Sequence, residues 1–114
     1  MIIEKFEDII SWQKSKELSI LIYFAFRDNR DFGFRDQIQR AVISISNNIA
    51  EGFERRSNKE FKQFLYIAKG SCGEARSMFH IAEALSYISK KEFEQFYNLG
   101  LEISKLLSGL IKTL

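Results

Sequence analysis

Residues 57–82 read SNKEFKQFLYIAKGSCGEARSMFHIA. Phe61, Leu65, Ala68, Cys72, Ala75, Phe79 and Ala82 recur at strictly alternating four- and three-residue steps, the spacing of one face of a helix. Ser57 and Glu60 stand three apart ahead of that stripe. This is the S-x-x-E capping box, in which each side chain satisfies the other residue's orphan backbone N–H. The spacing predicts one long helix from Ser57 to about Ser86, amphipathic and in need of partners.

Working outward, the same grammar repeats. Phe34, Ile38, Ala41, Ile45, Asn48, Ile49 and Gly52 lie along one stripe, predicting a helix over about 34–53. Its last turn and the next cap share the segment NNIAEGFERRSNKEF (47–61). There Gly52 lets backbones approach, Glu54 to Arg56 turn the chain, and Ser57 restarts it. Upstream, Trp12, Leu18, Leu21, Ile22 and Ala25 predict a helix from Asp8 or Ser11 to Arg27, ended by the turn composition RDNRDFG (27–33). Downstream, Ser89 caps and Glu92 sits at the third helical position. Phe93, Phe96, Gly100, Ile103, Leu107, Leu110 and Leu114 then form a heptad seam to the last residue.

Four helices joined by a few residues each become antiparallel neighbours, so the expected fold is all-α, an up-down-up-down four-helix bundle. At ~1.5 Å per residue the third helix would be about 44 Å long and the second about 30 Å. The mismatch predicts an overhang covered by self-association. Gly70 and Gly73 lie inside the third helix, where each costs roughly 1 kcal/mol relative to alanine. Close helix packing is the expected reason for them.

The bulk numbers agree. A chain of 114 residues points to one domain spanning 1–114, large enough for its own core. Hydrophobic residues make up 46% and charged residues 28%, a globular balance, and the absence of proline suits long helices. The longest nearly apolar run, LSILIYFAF at 18–26, has nine residues, far short of a membrane span. The N-terminal MIIEKFEDII carries acids and lacks the order of a signal peptide. The expectation is a soluble cytoplasmic protein without a membrane partner.

Chemistry is sparse. A single cysteine and a single histidine exclude an internal disulfide and a zinc site of the usual ligand sets. Cys72 falls on the apolar stripe, where a thiol is a small hydrophobe. His80 falls between the polar and apolar faces. No glycine-rich phosphate loop, H-E-x-x-H, G-x-S-x-G or CxxC occurs, so no catalytic residue, metal site or cofactor is assigned. An enzyme completed across subunits around His80 and Glu83 is the least favoured reading.

Two features carry the functional expectation. The first is a polar ridge on the second helix: Asn48 on the apolar stripe, flanked by Ser44, Asn47 and Glu51 and extended by Arg40. A buried amide needs partners or it costs ~1–3 kcal/mol. Such groups fix register or oligomer state, so the ridge is a candidate oligomer interface. The second is a basic stripe. Arg55, Lys59, Lys62, Tyr66, Lys69, Gly73 and Arg76 share a face of the third helix, about 120° from its core stripe at ~100° per residue. Arg56 adjoins its start. Residues 53–76 carry six basic and three acidic side chains, whereas the whole chain is only +2. A row of cations with an aromatic ring fits a phosphate backbone, with Tyr66 available for stacking. A merely solvated cationic face is the competing reading.

Beyond these patterns, FEDIISWQKSKEL, QIQRAVISISNNIAEGFERRSNKEFKQFLYIAKGSCGEAR and ALSYISKKEFEQFYNLGLEISKLLSGLI resemble the four helix bundle protein family. That family is also known from intervening sequences of bacterial 23S ribosomal RNA genes. The resemblance runs from Phe6 to Leu114. It implies an antiparallel bundle that assembles into ring-like homopentamers, with no enzymatic activity. A related bundle, the accessory variability protein of diversity-generating retroelements, is similarly a pentamer, works with a reverse transcriptase and binds nucleic acid through basic surfaces. RNA, or a ribonucleoprotein or reverse transcriptase, is therefore the implied partner, with a protein-only scaffold ring as the alternative. One departure is local: where the family commonly has SIPSNIAEG, this chain has SISNNIAEG, with Ser46 in place of proline. Without the proline kink, the second helix is expected to run straighter.

Overall fold

A computed structural model describes residues 2–114. After a 3-10 turn at Phe6–Asp8, four helices follow: α1 (Ile10–Phe26), α2 (Phe32–Phe53), α3 (Asn58–Ala84) and α4 (Lys90–Lys112). Each packs on its neighbour in sequence, and α1 closes the ring onto α4, leaving α1 diagonal to α3 and α2 diagonal to α4. This is the expected all-α four-helix bundle, 42 × 22 × 19 Å.

The core is built largely from the predicted stripes, joined by Phe26 of α1 and Val42 of α2, which the spacing did not single out. Leu18, Ile22 and Phe26 of α1 meet Ile38, Val42, Ile45 and Ile49 of α2. Leu65, Ala68, Cys72 and Phe79 of α3 and Ile103 and Leu107 of α4 complete it, all fully buried. Three small residues on α3's inner face, Ala68, Ala75 and Ala82, keep it near its neighbours. α2 runs unbroken through Ser46, whose hydroxyl donates to the Ile43 carbonyl at 3.2 Å.

The ends of the helices explain where they stop. Asp31 Oδ1 accepts from Phe34 N–H at 3.2 Å to start α2. At α4 the capping box is complete: Ser89 N–H donates to Glu92 at 2.9 Å and Glu92 N–H donates to Ser89 Oγ at 3.0 Å. At α3 only half of the predicted box forms. Glu60 N–H donates to Ser57 Oγ, but the Glu60 carboxylate takes the Ser57 hydroxyl proton at 3.3 Å instead of the backbone N–H. Ser57 has φ −134° against −77° at Ser89, which turns its N–H away from the carboxylate. α3 ends in a Schellman turn, with Ser86 N–H on Glu83 O and Tyr87 N–H on Ala82 O. Ser86 itself takes the left-handed position, φ 60°, that glycine usually fills.

Two expectations are corrected by packing. Gly70 is open, with nothing within 4 Å of an added Cβ, and Gly73 meets only the Arg76 guanidinium at 3.8 Å. Neither marks a close helix contact. The close approaches are at Gly52, where a Cβ would stand 2.5 Å from Phe64 Cβ, and at Gly100, where it would stand 2.9 Å from Arg76 Cγ. Nor do the ends of α3 stand free: Phe61 in its first turn packs on Phe53 of α2 at 5.8 Å between ring centroids, and just past its last turn Tyr87 packs on Phe34 and hydrogen-bonds Asp31. Exposed apolar side chains include Ile20, Tyr23 and Phe24 on α1 and Ile67 and Ile81 on α3, besides Ile10 and Phe32 at the starts of α1 and α2 and Leu85 at the end of α3.

Candidate nucleic-acid interface

Position 57 fixes the start of α3, and the helical repeat then fixes which side chains line up. Lys59, Lys62, Tyr66 and Lys69 fall on one face, as the spacing predicts. Lys59 is exposed, Lys62 and Lys69 are half-buried, as lysines with stems laid along apolar surface are, and Tyr66 is 56% exposed. Among the described residues none of these three lysines is in an ion pair.

The ends of the predicted stripe behave differently. Arg55 Nη2 pairs with Glu51 at 3.2 Å, and its guanidinium lies over the Phe64 ring at 4.9 Å. One carboxylate and one ring therefore already engage it. Arg56 is exposed beside it. Arg76 is half-buried, its stem pressed onto α4 at Gly100. The continuous row is thus shorter than the sequence spacing alone describes, and Arg76 belongs to the seam between α3 and α4.

The polar ridge of α2 divides as well. Asn48 Nδ2 donates to the Ser44 carbonyl at 2.7 Å and to Ser44 Oγ at 2.9 Å, and Ser44 Oγ lies 2.9 Å from Ser71 Oγ on α3. Ser44 Oγ thus links the amide to Ser71 across the two helices, with either hydroxyl able to donate in the Ser44–Ser71 bond. The partly buried amide is thereby paid for within the chain. Arg40, Asn47 and Glu51 stay exposed. Ser71 had no signature in the sequence, because only the register of α2 against α3 brings it to Ser44.

His80 is exposed and joins an aromatic cluster, 4.8 Å from Phe93 and 5.1 Å from Tyr97 by ring centroids. Its two partners on α4 were not legible beforehand. Cys72 is buried and its thiol donates to the Gly100 carbonyl at 3.1 Å. Burial pushes the thiol's pKa up, while the neighbouring Arg76 cation pulls the other way. A buried, protonated sulfur is a poor nucleophile. Among the described residues no three His, Cys, Asp or Glu side chains gather closely enough to hold a metal ion, and no helix is long and apolar enough to cross a membrane.

What the arrangement offers is an electrostatic face on α3. A family model described as 23S rRNA-intervening sequence protein matches residues 7–109. No curated protein matches the chain. Among solved structures, a protein of unknown function from the S23 ribosomal protein family of Bacteroides thetaiotaomicron is 29% identical, with a TM-score of 0.83 over 90% of this chain and 99% of that one. The bundle, its stripes and this match over nearly the whole length place the chain in one group: it belongs to the 23S rRNA-intervening sequence protein family.

Proposed function

We propose that this protein is a non-enzymatic, self-associating cytoplasmic bundle that grips RNA, bare or within a ribonucleoprotein or reverse-transcriptase complex, by its phosphates along α3. The observation that carries the reading is the row Lys59, Lys62 and Lys69 around exposed Tyr66, with no carboxylate paired to any of the three among the described residues. Unpaired cations in a row release counterions from a phosphate backbone, and a ring among them takes a base face.

The test is the salt dependence of RNA affinity. Each phosphate contact on a single strand contributes about −0.7 to the slope of log K against log salt, so changing Lys59, Lys62 and Lys69 to glutamate flattens the slope by roughly 2. An affinity indifferent both to salt and to the three changes rejects RNA binding through this row.

The protein-only ring is favoured by a different feature. Ile20, Tyr23 and Phe24 of α1 and Ile43 of α2 line an apolar groove of about 420 Å³. A pentamer predicts a light-scattering mass five times the 13.4 kDa of the chain. If that ring forms and carries no nucleic acid by its 260/280 nm absorbance ratio, the scaffold reading replaces the RNA one.

A further inference from the structure

Arg76 is the cation that the lysine row does not explain. Its stem lies in a slot that exists because residue 100 has no side chain: a Cβ there would stand 2.9 Å from Arg76 Cγ and 3.2 Å from Cδ. The slot fixes the guanidinium between α3 and α4. Nε is fully covered and has no partner in hydrogen-bond geometry among the described residues, although the Cys72 sulfur lies close enough to feel the cation. Nη2 lies 3.8 Å from where a Gly73 side chain would begin, so the missing side chain at 73 leaves room in front of the terminal nitrogens. Among the described residues no carboxylate lies within ion-pair distance of the group.

A cation held partly out of water and without a counter-charge is costly unless a ligand completes it. The planar fork of arginine is suited to two oxygens of a phosphate, and fixing it beforehand lowers the entropy lost on binding. The surroundings narrow the ligand further. Lys69 lies two turns before Arg76 on the same face. One turn after Arg76 stands exposed His80, with the Tyr97 ring 5.1 Å away. Positive charge on one side and aromatic surface on the other suit a phosphate with its base. A duplex keeps its base faces stacked inside, whereas a single strand presents them.

We infer that the groove between α3 and α4 at Arg76 holds one phosphodiester of single-stranded RNA, with the adjacent base against the His80–Tyr97 rings. This rests on the RNA reading above and adds a fixed anchor and a strand preference to it.

The experiment is fluorescence anisotropy with a short labelled oligouridylate, free or annealed to its complement, together with NMR of the Arg76 Nε–Hε signal. Arg76→Met keeps a stem in the Gly100 slot and removes the fork. It is expected to weaken single-strand binding about tenfold, the scale of one lost charge-assisted contact. His80→Ala weakens the single strand severalfold and leaves the duplex unchanged. In the unmodified protein the Nε–Hε signal moves on adding the single strand. A stationary signal, Arg76→Met binding like the parent, or a duplex bound as tightly as the single strand overturns the anchor. If the lysine changes flatten the salt slope while Arg76→Met does nothing, the α3 row stands and this inference alone fails. If the parent binds neither strand form, both fail. A changed oligomer mass for Arg76→Met at unchanged RNA affinity also overturns it, assigning the guanidinium to a second copy of the chain.

Discussion

Gly52 and Gly70 are chemically identical and both helical, yet an alanine would meet opposite fates at the two positions. At Gly52 the added methyl runs into Phe64 Cβ, an atom tied to the α3 backbone, so the two helices must part. At Gly70 it enters open space and removes glycine's excess backbone entropy. Gly52→Ala is therefore expected to lower unfolding free energy by about 1–3 kcal/mol, and Gly70→Ala to raise it by about 0.5–1 kcal/mol. Urea unfolding of the two variants checks the pair, and equal midpoints would refute the packing account. The sequence placed Gly52 and Gly70 in helices but gave both one explanation. What separates them is the neighbouring helix, which periodicity does not report. Arg55 and Arg76 teach the same lesson for the site. Spacing put both on the basic face, while Glu51, Phe64 and Gly100 decide how each side chain is held.

At the scale of elements, the stripes of α1 to α4 were legible in outline because hydrophobic periodicity reports burial directly, although Phe26, Val42, Met78 and Ile111 are buried outside them and Leu21, Phe93 and Leu110 on them are only partly buried. The corners were less legible. No glycine marks the end of α3, where Ser86 takes the left-handed turn, and nothing local links the α1–α2 corner to the α3–α4 corner. Asp31 makes that link. One carboxylate oxygen caps α2, and the other accepts from the Tyr87 hydroxyl at 2.7 Å. The Tyr87 hydrogen bond, followed by the Phe34 N–H, holds the Asp31 pKa below the ordinary 3.8. The hydrogen bond to Asp31, then slight burial and the carboxylate's charge, hold Tyr87 above the ordinary 10.0. A depressed carboxylate contributes stability above its unfolded pKa and loses it as pH falls through the folded value. A raised phenol contributes below its unfolded pKa and loses it as pH climbs through the folded value. Tyr87→Phe should therefore shrink the drop in urea midpoint on acidification below the ordinary Asp31 value. Parallel pH profiles for parent and variant would show that the two corners are not coupled through this bond.

For the whole molecule, the informative surface is apolar. Phe24 is 63% exposed, with Arg27 over its ring at 5.5 Å, beside Ile20, Tyr23 and Ile43. Large exposed apolar groups on a side face mark places where proteins meet. Phe24→Glu puts a charge there without touching the core. Its expected outcome is an unchanged helical circular dichroism spectrum with a light-scattering mass reduced to that of one chain. A parent that already has the mass of one chain, or a variant that keeps the parent's mass, would reject this face as a joint. The sequence expectation was a protruding α3 in need of cover, whereas its ends are tied down by the Phe53–Phe61 and Asp31–Tyr87 contacts. Helix lengths alone omit such corner contacts.

The sealed thiol of Cys72 has a practical consequence. Its sulfur is wedged between α3 and the Gly100 carbonyl of α4. A maleimide dye can reach it only when that seam comes apart, so labelling speed acts as a stopwatch for opening of the bundle. No cysteine needs to be engineered into the chain to read it, because the native protein already carries this one buried reporter.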